Sequence, residues 1–369
     1  MKIGILTFHY AHNYGAVLQA YALLTKIKTI GHEAEFINYV IPRIEQVYNK
    51  RTLYQLYKFY REKQNFLKSF VKTILYYNRE KLKITPKWYR FNDFIVEMLP
   101  QSRRIERIEH MLLNSYDAIV CGSDQIWSKG ITQQIIPIYF CEGVGEKVRK
   151  IAYAASAGKG YIDKEDEQIF VNLCSNFNHI SVREKALCEY MTKLGISNTW
   201  VSDPVFLLSK DEWCKIAVRP QITDYVLTYS FGEPVGFFET AKQIADRLNK
   251  PLVCLLLKDK KIHVKATKVL DAGPCEFIGY ILNASYVVTN SFHGTAFSIL
   301  LNKQFSNIPP QNGIERTKSL LTLLNLTDRI IDTKLNEYNA DKVIDYNIVN
   351  KQLTEIVLTS NDFLENSLK

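Results

Sequence analysis

The chain reads as an α/β protein made of two similar, doubly wound units that face a cleft. Three observations predict this. Short apolar runs that look like buried strands end repeatedly in polar turns and are followed by helix-like stretches. A second series of the same kind begins near Tyr225. At 369 residues the chain also exceeds one ordinary core, so two domains are expected.

The elements follow in order. Ile3–Phe8 is a strand, and Gly15 to Ile30 a helix stopped by Gly31. Ala34–Tyr39 is the second strand, and Val47 to about Tyr77 a basic, aromatic helical insertion. Asp117–Cys121 and Lys150–Ala155 are strands that end in Gly122-Ser123-Asp124 and Ser156-Ala157-Gly158. The helix Glu165–Phe177 precedes the strand His179–Val182, and Thr199–Ser202 is a strand ending in Asp203-Pro204. Asp211–Thr223, which contains Pro220, is the expected linker. In the second series Tyr225–Tyr229 is a strand, Pro234–Asn249 a helix, Leu252–Leu257 a strand and Cys275–Asn283 a helix. Tyr286–Thr289 is the next strand, and beyond Ile308-Pro309-Pro310 the chain is helical.

Composition narrows the function. Seven scattered cysteines, with no CxxC and no His/Cys cluster, suggest reduced core residues, neither disulfides nor zinc. Seven dispersed histidines suggest no metal site. The opening Met1-Lys2 leads directly into a strand, so no signal peptide is expected, and no apolar run approaches the roughly 20 residues of a membrane span. The expected location is cytoplasmic. The net charge of +9 is concentrated between Arg43 and Arg107, where 16 Lys/Arg face 6 Asp/Glu. Tyr54, Tyr57, Phe59, Tyr60, Phe66, Phe70, Tyr76 and Tyr77 crowd the same region. Basic and aromatic residues interleaved on helices suit an anionic membrane surface, which would make the protein peripheral at the inner face of the membrane. The alternative is a helical insertion whose aromatics pack on the domain while its charges are solvated. Nucleic acid is not an expected partner.

The polar clusters at predicted strand ends are the candidate site, because open α/β sheets bind ligands there. The most informative is Thr289-Asn290-Ser291-Phe292-His293-Gly294-Thr295, which puts a His at a strand-to-helix turn. A helix start attracts anions, so His293 there suggests anion handling with proton transfer; a capping or packing His is the alternative. The loop His9-Tyr10-Ala11-His12-Asn13-Tyr14-Gly15 lacks GxGxxG, so no dinucleotide fingerprint is present. Asn13 can cap a helix, Gly15 allows close backbone approach, and the two histidines suit a polar ligand. In Gly122-Ser123-Asp124-Gln125-Ile126-Trp127, Asp124 is a candidate base toward a sugar hydroxyl or else an N-cap, and Trp127 is a candidate stacking platform for a sugar. Arg183, in Ser181-Val182-Arg183-Glu184, can clamp a phosphate or carboxylate, or instead pair structurally with Asp203. Asp203 is a cleft-lining candidate that equally suits capping the turn at Pro204.

Taken in order, these pieces resemble the polysaccharide pyruvyl transferase family. The matching segments are Lys2–Phe8 with Asn13–Ala20, Gly122–Trp127, Ser181–Glu184, Ser202–Phe206 and Ser291–Gly294, over about residues 1–305. The resemblance implies a GT-B-like fold of two Rossmann-like domains. The first would span 1–212 with the insertion at about 43–107, and the second 222–335. Residues 336–369 would be a helical tail packing back on the first domain. It also implies transfer of the enolpyruvyl group of phosphoenolpyruvate, as co-substrate and with no cofactor, onto two hydroxyls of a sugar in a surface or capsular polysaccharide precursor, giving a pyruvate ketal. The acceptor would be a sugar or a lipid-linked oligosaccharide. By this resemblance Arg183 binds the donor with Ser291, Phe292, Gly294 and Thr295. His293 acts as general acid, with Asp124 or a histidine of the first loop as the base. From their places at strand ends, His9, His12, Asn13, Tyr14, Gly15, Trp127 and Asp203 are expected to line the acceptor site or the cleft. Many members carry Arg where Ser291 stands, and Lys258, Lys260 or Lys265 are candidate replacements for that charge. Two other readings of the same residues are a GT-B glycosyltransferase using a nucleotide sugar and an inactive glycan-binding module.

Overall fold

The computed structural model describes residues 1–49, 53–61, 65–81, 85–309, 315–331 and 342–369. The first half forms β1 (Lys2–Leu6), α1 (Tyr14–Thr29), β2 (Glu33–Phe36), α2 (Pro42–Tyr48), α3 (Leu53–Arg61), α4 (Phe66–Lys81) and α5 (Pro86–Met98). It continues with the one-turn α6 (His110–Leu113), β3 (Ala118–Cys121), the one-turn α7 (Lys129–Thr132), β4 (Arg149–Ala155) and α8 (Glu167–Cys174). Then come β5 (His179–Val182), α9 (Lys185–Lys193), β6 (Thr199–Trp200) and α10 (Lys210–Ile216). The second series is β7 (Tyr225–Tyr229), α11 (Phe237–Arg247), β8 (Leu252–Leu255), β9 (Thr267–Val269), α12 (Pro274–Asn283), β10 (Ala284–Thr289) and α13 (Phe292–Leu300). It ends with β11 (Gln304–Asn307), α14 (Glu315–Leu323) and α15 (Tyr346–Ser367).

Two parallel sheets result, in the orders β2-β1-β3-β4-β5-β6 and β11-β10-β7-β8-β9. Their central strands are buried along their whole length, as expected where helices cover both faces. In each sheet the order reverses once, between β1 and β3 and between β7 and β10. Ligand crevices form outside the carboxyl ends of strands at such reversals. The loop after β1 and the loop after β10 therefore occupy the two places where a site is expected.

One apolar core runs through both halves. It joins Ile3, Val17 and Leu23 of the first to Leu227, Phe277 and Phe297 of the second. Trp213 sits at this junction, fully buried, edge-on to Phe297 at 4.9 Å and 5.8 Å from Tyr21. Its indole N–H donates to the Val205 carbonyl at 3.0 Å. The residues around Trp213 correct one expectation. The segment Asp211–Thr223 is not all linker, because Ser209 and Glu212 form a reciprocal capping box that starts α10. Helix α13 also begins earlier than its apolar run, because Ser291 caps it and brings His293 into its first turn.

The basic insertion divides into two parts. Helix α5 belongs to the core through Phe91, Phe94 and Ile95, and Arg90 reaches across to the Asp271 carbonyl and to Glu276. Helices α3 and α4 instead pack mainly on one another. At the other end of the chain, the expected start of the tail at Asn336 lies outside the described residues. Helix α15 lies against the first half: Ser360 Oγ accepts from the Ser202 amide at 2.9 Å, and Glu365 pairs with Lys26.

Replacing Trp213 by Ala should cost about 3–5 kcal/mol, because the site cannot collapse on a vacated indole. Urea unfolding of the two proteins measures this, and a midpoint shift equivalent to less than about 1 kcal/mol would contradict the junction's importance.

Candidate active site

Helices α1 and α13 begin where the two sheets reverse order, and they meet end to end. Asn13 caps α1 by accepting from the amides of Gly15 at 2.9 Å and Ala16 at 3.4 Å. Ser291 caps α13 by accepting from the Gly294 amide at 3.3 Å. The His293 ring lies against the Gly15 backbone so closely that a Cβ added there would fall 2.0 Å from its Nδ1. Only glycine permits this contact. Two helix N-termini thus direct partial positive charge at one imidazole.

The opposite edge of the ring faces a carboxylate. His293 Nε2 is 3.6 Å from Asp203 Oδ2, and that oxygen also accepts from Arg183 Nη1 at 2.5 Å. The second Asp203 oxygen accepts from the Val205 amide at 3.1 Å. Burial alone would raise the Asp203 pKa, but His293 and Arg183 hold it well below the usual carboxylate range. Asp203 is thus a fixed anion with a cation on one side and an imidazole on the other.

Arg183 is only partly used by this pair. Its Nε lies 3.6 Å from Glu184, and its Nη2 is buried without a hydrogen-bond partner. Its guanidinium stacks over the Phe292 ring at 5.1 Å, and Arg316 of α14 stacks at the same ring at 5.9 Å. Burial and the charge of Arg183 both lower the Arg316 pKa. Among the described residues Arg316 has no acidic partner within ion-pair distance. Two guanidiniums beside one ring, only one of them neutralised, favour an added anion. They line a narrow cavity of about 20 Å³ together with Trp200, Asp203, Phe292 and Leu353. Glu184 borders it too; it accepts from Ser156 Oγ at 2.6 Å, and burial raises its pKa.

The profile of the polysaccharide pyruvyl transferase family matches residues 13–312. The chain belongs to this family. Members of the polysaccharide pyruvyl transferase family are transferases acting on sugar or polysaccharide acceptors. No curated protein matches the chain. Among solved structures, one from Listeria monocytogenes assigned as a UDP-N-acetylglucosamine 2-epimerase superposes with a TM-score of 0.50 at 10% identity. That match covers 98% of this chain and 90% of the other. The UDP-GlcNAc 2-epimerase of Methanocaldococcus jannaschii, solved with UDP-GlcNAc and UDP, gives a TM-score of 0.48 at 11% identity, covering 97% and 93%. The fold is of the GT-B type with two Rossmann-like domains.

For this polysaccharide pyruvyl transferase family member, the structure sorts the residues singled out from the sequence. It brings Gly15, Arg183, Asp203, Phe292 and His293 together. Asp124 is half-buried; its carboxylate accepts from the Gln125 amide at 2.8 Å and caps no helix. Trp127 is not a sugar platform: it is buried, stacked on Phe140 at 5.0 Å, and donates to the Tyr139 carbonyl. His9 is not on a cleft either, since it is fully buried and stacked on Phe36. His12 stacks on Phe91 of α5 at 5.3 Å. Tyr14 is buried between the halves, stacked on Phe277, with its hydroxyl donating to the Ala272 carbonyl at 2.6 Å. Ser291, Gly294 and Thr295 build the start of α13. Gly294 lets the helix sit against Thr289, and Thr295 Oγ1 accepts from Asn307 at 3.0 Å and donates to the Ser291 carbonyl at 3.1 Å. Lys260 pairs with Glu233, and Lys258 and Lys265 are exposed, so the second cation beside Arg183 is Arg316. No motif marks Arg316; only the fold brings it there. Among the described residues no three His, Cys, Asp or Glu side chains converge as a metal-binding set.

Gly15→Ala should displace the His293 ring while leaving the fold intact. The His293 ring resonances in NMR spectra should shift strongly with little change in far-UV circular dichroism; unchanged resonances would contradict the close approach.

Burial lowers both His9 and His12 to about 4 from the ordinary 6.5, and Lys87 beside His12 adds to the effect there. The unfolded chain therefore takes up protons at these sites before the folded one does. Stability should be full above about pH 6.5 and fall as the pH drops toward 4. In His9→Gln the fall over that window should be shallower in denaturant titrations at stepped pH.

Proposed function

We propose that the protein transfers the enolpyruvyl group of phosphoenolpyruvate to two hydroxyls of a sugar in a surface or capsular polysaccharide precursor, closing a pyruvate ketal. The observation that carries this reading is the meeting of an imidazole with two guanidiniums, Arg183 and Arg316, around Phe292. Proton transfer and dianion binding are the two needs of this chemistry.

In the proposed sequence, Arg316 and the free Nη2 of Arg183 hold the donor's phosphate or carboxylate. The cavity between them admits about one water-sized group, so the Phe292–Arg316 wall shifts as the donor enters. Gly15 closes off Nδ1 of the imidazole, so the proton is delivered from Nε2, the nitrogen beside the Asp203 carboxylate. His293 protonates the methylene carbon, which becomes a methyl group and leaves an oxocarbenium-like carbon. The first sugar hydroxyl attacks that carbon and gives its proton to Asp124. The second hydroxyl then displaces phosphate, which departs with its proton. The products are one ketal and one phosphate, and charge is stabilised throughout by cationic side chains. Asp203 is a positioning residue here, because it acts through His293. No cofactor enters this scheme.

The test is phosphate release from phosphoenolpyruvate across a panel of free and lipid-linked sugars. His293→Ala should lower kcat by about 10²–10⁴-fold. Arg316→Gln should mainly raise the KM for phosphoenolpyruvate, by about tenfold or more, since it removes a charge-assisted contact. Near-normal turnover by His293→Ala would overturn the assignment. Protection from heat by nucleotide sugars and not by phosphoenolpyruvate would favour a glycosyltransferase. Glycan binding with no phosphate release from any acceptor would favour a binding module.

A further inference from the structure

We propose that the hairpin of α3 and α4 docks the protein on an anionic membrane surface. The inference is independent of the donor chemistry. Within the hairpin α3 buries Leu56, whereas α4 is built inside out. The α4 residues that face its interior are Ser69 and Thr73, both buried and each bonded to a carbonyl four residues back. Its large apolar residues point outward: Phe66, Leu67, Phe70, Val71, Ile74 and Leu75 are each more than half exposed.

Helical spacing orders these side chains. Residues four apart stack along a helix, so Phe66, Phe70 and Ile74 form one row and Leu67, Val71 and Leu75 the next. The third row is Lys68 and Lys72, and the fourth is the buried pair Ser69 and Thr73. Half of the helix circumference is therefore exposed hydrocarbon, bordered on one side by lysines. Lys68 is exposed, while Lys72 lies half-buried with its ammonium 5.8 Å from the Tyr60 ring. On α3, Leu53 and Tyr54 add exposed apolar surface and Lys58 another exposed charge. A soluble monomer rarely leaves a contiguous patch of this kind uncovered.

Charge selects the occupant. A second copy of the hairpin would bring the same lysines face to face. Anionic headgroups attract them, while the apolar rows enter the boundary between headgroups and acyl chains. Lysines at the border of an apolar face can keep their stems in contact with hydrocarbon and their ammonium groups among headgroups. Among the described residues no helix is long and apolar enough to cross a membrane, so the contact is peripheral.

The test is co-sedimentation of the full chain with vesicles of phosphatidylcholine containing phosphatidylglycerol, and with phosphatidylcholine alone. Binding is expected on the mixed vesicles only and should weaken as salt is raised. Lys68→Gln and Lys72→Gln should each weaken it about fivefold. Leu67→Ser with Leu75→Ser should weaken it about tenfold or more. Leu67, Lys68 and Leu75 are exposed and Lys72 is only half-buried, so circular dichroism should be unchanged. The salt series on the unmodified protein serves as the test even if a variant misfolds. Absence of binding to the mixed vesicles, or binding unaffected by the paired serine substitutions, overturns the proposal. A dimer seen by light scattering that the same serine substitutions dissolve also overturns it, in favour of a second copy.

Discussion

The contact between Gly15 and the His293 ring is the constraint on which the rest of the site depends. It requires that α1 and α13 both start where their sheets reverse order, and that neither places a side chain in the gap. Asn13 and Ser291 supply the caps, so both helix starts are held by short polar side chains. Gly294 lets α13 sit close on β10. The shared core around Trp213 and Phe277 then fixes the two sheets against each other. Relaxing any of these moves the imidazole relative to Asp203.

Charge in the site is arranged by the same geometry. Asp203 is buried and stays ionised because His293 and Arg183 flank it. Without them a buried carboxylate would favour its neutral form. Arg183 in turn tolerates burial because Asp203 and Glu184 are near, and these acids hold it more firmly protonated than usual despite the opposing effect of burial. Arg316 has no such partner among the described residues. Its guanidinium is therefore left without an ion-pair partner, near helix N-termini that already favour an anion.

Much of the architecture was legible in the amino-acid sequence. Apolar runs such as Tyr225–Tyr229 and His179–Val182 are buried parallel strands, and their polar ends mark the crevice. The strands β9 and β11 left no such mark. Both are short, lie at sheet edges, and read Thr-Lys-Val and Gln-Phe-Ser-Asn, which carry little apolar signal. Site residues were legible where they directly follow a strand, as His293, Arg183 and Asp203 do. Trp127 and His9 follow strands too, yet their rings turn into the core, a choice made by neighbours such as Phe140 and Phe36 that are distant in the chain. Arg316 lies on a helix after the last strand, and only tertiary packing brings it to Phe292.

The origin of the charged residues has one more consequence. Asp203 and Arg183 extend from the first sheet, whereas His293, Phe292 and Arg316 belong to the second half of the chain. Neither half holds a complete set. If the two sheets part, the imidazole loses its carboxylate, the paired guanidiniums separate and the ring between them loses one of its cations. The fold thus acts as an interlock: the candidate site is complete only while the two halves stay packed on their shared core.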